Sequence, residues 1–367
     1  MKIESIELYR VSMPLIYPFR TAYGDGHVIE SVLVKISSQG LEGWGEATPW
    51  ESPLYSSEWA VGAFALVRDW LGPQILGQEI ESGDALQEQL SMFKGNPMAK
   101  ASLDLAWWDL QAKIQEEPLW RVLGGQNKIV DIGADFGVME NLSSLIEKIQ
   151  EAVNSGFKRV KLKFRRGWDI EMVRTVREFF PNLVFHVDCN SSYRLDDLDL
   201  FLSLDEFGLA MIEQPLAHDD LLDHAELQRQ IATPICLDES IYSVDRARQA
   251  IEIGACRWFN LKPARIGGIT PTLKVLSEAK KGNIPCWIGG MLESAVGANH
   301  CIALATLSNM KYPADIFPSR RFYEKDLSFP EIEISGKAQV KPQPGPGIGC
   351  TPERSQLEKH LMESHKL

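Results

Sequence analysis

RVKLK (159–163), VFHVD (184–188), LAMIE (209–213), PICLD (234–238) and WFNLK (258–262) are five short apolar runs, each ending on a charge. The closing residues Lys163, Asp188, Glu213, Asp238 and Lys262 fall at steps of 25, 25, 25 and 24 residues. A repeated strand–helix unit imposes such an interval on any residue at a fixed phase, so the spacing alone speaks only for a barrel. What occupies the phase carries the chemistry. A charge at the end of a buried strand is costly unless it is paired or metal-bound. Parallel barrels carry their sites at the C-terminal strand ends. The rival reading of the five charges is a purely structural ion-pair network.

Further strand patterns at 130–138, 285–290 and 314–317 bring the count to eight βα units. Helical periodicity lies between them, as at 142–153, 219–231 and 270–281. Gly156, Gly208, Gly254 and Gly282 stand where an αβ turn often needs positive φ. The fold class expected is α/β, a TIM-type (β/α) barrel over 126–324. Residues 1–125 read differently. Strand-like runs at 2–13, 29–37 and 42–47 precede helical segments near 57–75, 83–93 and 98–115, which is α+β order and a separate small domain. The segment 325–367, with KPQPGPGIG and one short strand candidate, is expected to return to that domain.

The 367 residues suffice for two domains. A net charge of −12 argues against nucleic acid as a partner, and no apolar run is long enough for a membrane span. The N-terminal alternation reads as a strand, without the basic head and apolar middle of a signal peptide. The six cysteines include no C-x-x-C pair and read as buried reduced thiols of a cytoplasmic protein. Nothing in the sequence exposes an interface, although barrels of this kind often associate into homo-oligomers.

Two Asp and one Glu, with no His or Cys at the same phase, form an all-oxygen set suited to a hard divalent cation such as Mg²⁺. Zn²⁺ fits less well, because no His shares the phase. Lysines on the second and sixth strands would face each other across the ring. A small-molecule carboxylate held at the metal would meet a lysine on each face, which suits removal of the proton α to a carboxylate. The base must lose its charge near pH 7, well below the ordinary lysine range. Lys161 lies two residues before Lys163 and shares its face, so its charge is a candidate to depress the Lys163 pKa. Arg265 either does the same for Lys262 or is a loop cation at the surface.

The motifs K-x-K (Lys161, Lys163), D-x-N (Asp188, Asn190), E-Q-P (213–215), D-E-S (238–240) and K-P (Lys262, Pro263) resemble the enolase superfamily, muconate-lactonizing-enzyme subgroup. PFRTAYG (18–24), PLYSSEW (53–59), LKPARIGG (261–268), GGMLES (289–294) and PADIFPSRRFYEKDL (313–327) are similar to the o-succinylbenzoate synthase and N-succinylamino acid racemase family. The resemblance covers nearly the whole chain. It implies an enolase-like modified barrel capped by the α+β domain. It also implies Mg²⁺ (or Mn²⁺ as a substitute) on Asp188, Glu213 and Asp238, and acid/base lysines 163 and 262.

By the same resemblance Asn190 gives a hydrogen bond beside the metal, and loops near 18–26 and 50–58 close over the substrate. Arg20 is a candidate for a substrate carboxylate or for a surface salt bridge. Gly289, Gly290 and Met291 let the backbone approach a ligand, or serve packing alone. The implied activity is the dehydration that forms o-succinylbenzoate in menaquinone biosynthesis, a lyase reaction. N-succinylamino acid (N-acylamino acid) racemisation is the alternative, alone or beside it. Dipeptide epimerisation is disfavoured because Asp315-Ile316-Phe317 lacks a D-x-D pair, and muconate cycloisomerisation is more distant still. A non-catalytic barrel kept for binding would require a lost ligand or base, and none is missing.

Overall fold

The structure is a computed structural model that describes residues 1–21 and 24–367. Ala22 and Tyr23, inside the PFRTAYG stretch, lie outside the described residues. The cap opens with three antiparallel strands, β1 (Ser5–Thr21), β2 (Gly24–Ser38) and β3 (Leu41–Ala47). Period-two alternation puts Ile6, Leu8, Val11 and Met13 on the buried side of β1. The region near 18–26, read from sequence as a loop, is instead the far end of the β1–β2 hairpin, with Phe19 opposite Gly26 and Arg20 opposite Asp25.

The helix Pro97–Ile114 lies between this sheet and the barrel and is apolar on nearly every face. It sits tightly on β3 because Gly43 and Gly45 have no side chain. A Cβ at Gly45 would strike the backbone of Ser102 and Ala106. Buried carboxylates tie the same helix to its neighbours. Asp109 accepts from the backbone N–H groups of Trp44 and Ile348, each at 2.8 Å, and Asp104 accepts from that of Thr270 at 3.1 Å.

Seven parallel strands follow: β4 (Ala134–Phe136), β5 (Arg159–Lys163), β6 (Val184–Asp188), β7 (Ile212–Glu213), β8 (Ile235–Leu237), β9 (Trp258–Leu261) and β10 (Cys286–Ile288). They pair in chain order. Their residues are buried almost throughout, as expected for strands covered on both faces. Helices return the chain between them. That of Leu142–Asn154 starts on Asn141, whose side chain accepts from the Ser144 N–H at 2.8 Å, and buries Leu145, Ile149 and Ala152 at helical spacing. Gly156, Gly208 and Gly254 have positive φ, whereas Gly282 has φ −82°.

The eighth strand expected at 314–317 is not regular. Its place is taken by the segment 310–315, which closes the ring through isolated parallel bridges, Met310 with Cys286 and Ala314 with Ile132. Lys311 and Asp315 donate to Cys286 and Ile288 on one side, while Gly133 donates to Ala314 on the other. Pro313 in this segment has no N–H to give a ladder. A last strand, β11 (Leu361–Lys366), pairs antiparallel with β1, joining Glu7 to Lys366 and Leu8 to His365. All six cysteines are free and buried. Among the described residues no helix is long and apolar enough to cross a membrane.

Candidate active site

Register brings the charged ends together. Lys163 pairs with Asp188 across β5 and β6, and Asp188 with Glu213 across β6 and β7. Asp238 and Lys262 directly follow β8 and β9. All five are at most 6% exposed. Lys163 Nζ lies 2.6 Å from Asp188 Oδ2. Lys161 Nζ is held by three carboxylates: Asp188 at 3.0 Å, Glu213 at 3.1 Å and Asp315 at 3.2 Å. On the far side Lys262 Nζ meets Asp238 Oδ2 at 2.8 Å, and Arg265 pairs with Asp238 Oδ1. Tyr55, from the cap segment 50–58, accepts at its hydroxyl from Lys262 (3.2 Å) and Arg265 (2.8 Å).

A further layer orients these groups. Glu213 accepts from Asn260 Nδ2 at 2.7 Å, and its other oxygen lies 3.1 Å from His186 Nε2. Burial lowers the His186 pKa, so the ring is neutral at pH 7. Its Nε2–H donates to Glu213, and Nδ1 accepts from the Tyr312 hydroxyl at 3.1 Å. Gln214, at φ +37°, accepts from the backbone N–H groups of Asp238 (3.0 Å) and Ser240 (3.1 Å). Asn190 gives its amide to Glu239 at 3.2 Å, and its Oδ1 is buried without a hydrogen-bond partner among the described residues.

Opposite charges outweigh burial at these groups. Burial opposes the charge on Lys161, yet Asp188, Glu213 and Asp315 raise its pKa well above the lysine range. Burial also works against the Asp188 and Asp238 carboxylates, and the adjacent lysines and Arg265 pull both below the ordinary range. Lys262 likewise lies above the ordinary lysine range. Burial, the largest influence, pushes it down, as do Lys161 and Arg265, but Asp238 and Tyr55 together outweigh them and raise it. Arg265 is no surface cation, being 3% exposed.

The remaining candidates lie around this centre. Arg20, near the end of β1, has its Nε 3.4 Å from Asp25 and a half-exposed side chain. It shares a cavity of about 810 Å³ with Asp135 and Arg321. A Cβ on Gly289 would collide with Asn260, and one on Gly290 with the Asp315 carbonyl. Met291 is buried and its carbonyl accepts from Trp50 Nε1 at 3.2 Å, so this segment is latched to the cap. Three participants went unread as site residues in the sequence. Tyr55 lies within PLYSSEW but outside the barrel repeat. Asp315 sits on the irregular eighth segment, where phase gives no guide. Asp135, opposite Lys161 in register, closes no apolar run.

Over residues 144–356 the chain matches the family described as Enolase C-terminal domain-like, and over 5–124 the Mandelate racemase / muconate lactonizing enzyme, N-terminal domain. The chain belongs to the enolase superfamily. Among its relatives in this superfamily, N-succinylamino acid racemase of Thermus thermophilus is 43% identical over 95% of this chain and 94% of that protein. The o-succinylbenzoate synthase of Geobacillus stearothermophilus is 40% identical over 98% of this chain and 96% of its own. The crystal structure of an enolase superfamily member from Listeria innocua superposes with a TM-score of 0.96 at 36% identity, covering 100% of this chain and 99% of the other. An enolase-superfamily barrel with its antiparallel cap is thus both the observed architecture and that of its relatives.

Proposed function

We propose that this superfamily member is an o-succinylbenzoate synthase. It would dehydrate 2-succinyl-6-hydroxy-2,4-cyclohexadiene-1-carboxylate by abstraction of the proton α to the carboxylate. One observation carries the reading: the two lysines are held unequally. Among the described residues Lys163 has one side-chain hydrogen-bond partner, Asp188, and lies 5.8 Å from the Phe19 ring centroid, whereas Lys262 is fastened by Asp238 and Tyr55 and lies 4.7 Å from the Tyr55 ring centroid. A loosely held amine can turn toward substrate and exchange a proton. A tightly held ammonium provides fixed positive charge, and fixed charge is worth most where water is excluded.

Lys163 in its amine form takes the α-proton. The carbon–oxygen bond to the ring hydroxyl then breaks, and the proton on Lys163 leaves with that hydroxyl as water. Lys262 stays cationic against the negative charge that develops on the substrate. Lys161 compensates the carboxylates beneath. Among the described residues no three His, Cys, Asp or Glu side chains converge on one point, since the lysines and Arg265 occupy the carboxylate oxygens. The donor chemistry still fits Mg²⁺. Asp188, Glu213 and Asp238 supply buried oxygens on consecutive strand ends, and Asn190 Oδ1 is a buried oxygen to spare. When bound there, Mg²⁺ (or Mn²⁺) would supply positive charge to the substrate carboxylate.

Racemisation of N-succinylamino acids is the second reading, favoured by the 43% identity to the Thermus racemase. It needs Lys262 to cycle as well. Steady-state kinetics on both substrates with Mg²⁺ separates the two. Exchange of substrate α-protons in deuterium oxide tests what they share: it should depend on Mg²⁺ and vanish in Asp238→Asn. Exchange at the wild-type rate in that variant would sink the metal assignment.

A further inference from the structure

His186 stands two residues before Asp188 on β6. Both side chains therefore point into the barrel, with the imidazole one layer beneath the strand-end charges. The residue is fully buried. Its ring plane is fixed by Trp287 and Tyr312, whose rings meet it at 70° and 65° with centroids 5.5 Å away. Tyr312 is held in turn by the Trp258 ring at 5.7 Å and by the Arg159 guanidinium over its own ring at 5.3 Å.

The polarity of this column is set at its top. The Glu213 carboxylate can only accept, so His186 Nε2, 3.1 Å from Oε2, carries the proton of the neutral ring. Nδ1 is then an acceptor, and the Tyr312 hydroxyl donates to it at 3.1 Å. The opposite tautomer would set the Nε2 lone pair against the carboxylate. Glu213 Oε1 accepts from Asn260 at 2.7 Å and from Lys161 at 3.1 Å. A carboxylate offers about four lone-pair sites, so the three donors leave one open. Asp188 and Asp238 are held differently, each paired with a lysine that faces the substrate, Lys163 or Lys262. Among the described residues Glu213 pairs with neither of these lysines, and none of its donors exchanges a proton with substrate in the proposed reaction.

We propose that His186 is a positioning residue for the divalent cation. Through Nε2–H it holds Glu213 in one orientation, with the remaining lone pair presented to the metal, and Tyr312 enforces the tautomer that does so. The inference rests on the reading that Asp188, Glu213 and Asp238 hold Mg²⁺. The imidazole donates without a charge of its own, so it steers the carboxylate and leaves its negative charge to the metal. Groups that orient a metal ligand in this way are worth about 10- to 100-fold in affinity.

The test is Mn²⁺ binding followed by electron paramagnetic resonance, with the metal alone and no substrate. His186→Phe keeps a planar ring among the aromatic neighbours but cannot donate, and should weaken binding at least about tenfold. His186→Gln places an amide N–H near the position of Nε2 and should stay within about threefold of wild type. Wild-type affinity in His186→Phe, or a His186→Gln protein as weak as His186→Phe, overturns the proposal. The nitrogen-15 spectrum of the wild-type protein tests it without any core substitution, the His186 signals being those that vanish in His186→Gln. A protonated Nε2 and a bare Nδ1 are expected, and the reverse pattern overturns the proposal. Tyr312→Phe should move the Nδ1 signal, and an unmoved signal overturns the part given to Tyr312. Asp238→Asn separates this inference from the reading beneath it. Binding as tight as wild type in that variant removes the metal assignment and the proposal together. Loss there, with wild-type binding in His186→Phe, overturns the role of His186 alone.

Discussion

The Tyr55 hydroxyl, carried on the cap, accepts a hydrogen bond from Lys262 on the barrel at 3.2 Å. The second domain therefore reaches through to a group at the reacting face. Tyr55→Phe keeps the ring that packs on Trp50 and lies over Lys262, and removes only the oxygen. Hydrogen bonds to charged groups are worth roughly 1.5–3 kcal/mol. The expected loss in kcat/KM is about 10- to 100-fold at a tenfold change per 1.4 kcal/mol. The melting temperature should move by no more than about 3 °C. Steady-state kinetics beside a thermal melt checks both, and unchanged turnover would show the contact to be packing alone.

Lys262→Arg keeps the positive charge but replaces an amine that can titrate with a guanidinium that cannot. Dehydration should survive in part, and racemisation of an N-succinylamino acid should be lost. Equal loss of both activities in a folded variant would contradict the division of labour between Lys163 and Lys262.

Asp315 bridges Arg159 at 2.7 Å and Lys161 at 3.2 Å, with all three side chains buried. Asp315→Asn leaves two buried cations short of a counter-charge. Breaking a buried pair costs about 3–5 kcal/mol. Denaturant unfolding should show a loss of that order, larger than for any surface pair in the molecule. A loss below about 1 kcal/mol would mean that Glu213 and Asp188 alone satisfy Lys161.

Asp104, buried in the helix between cap and barrel, has its pKa pushed up from 3.8 to about 6 by burial, against hydrogen bonds from Thr270 and Gln87. The folded state then holds a proton that the unfolded state has released between about pH 4 and 6. Stability is present below that window and is lost as pH rises through about 6. At about 1.4 kcal/mol per pH unit the loss is on the order of 3 kcal/mol. Asp104→Asn cannot titrate, so its stability relative to wild type should improve between pH 5 and pH 7.5. Parallel pH profiles of the two proteins would argue against the shift.

Much of this molecule is legible in its sequence because a parallel barrel repeats. Where the repeat holds, position along the chain gives position in space. Asp188, Glu213 and Asp238 could therefore be placed on neighbouring strand ends, and the apolar runs before them read as strands buried on both faces. Legibility fails where the repeat does. The segment that closes the ring makes only isolated bridges, and Pro313 interrupts any pattern, so Asp315 has no phase to betray it. Tyr55 comes from another domain, and no local rule links residue 55 to residue 262. Arg265 stands close to Lys262 in sequence, but the charge that touches the Lys262 ammonium is Asp238, from the neighbouring strand end.

The pairing of β11 with β1 has a consequence for biogenesis. Glu7 finds its partner in Lys366, so one edge of the cap sheet joins strands that lie on either side of the whole barrel in chain order. Contacts between distant parts of a chain form slowly, because the intervening loop must close first. The barrel has every strand available before the cap can be completed. Until that last strand docks, Tyr55 and the β1–β2 hairpin should therefore sit on an unfinished sheet, and the reaction chamber should become competent only when β11 has paired with β1.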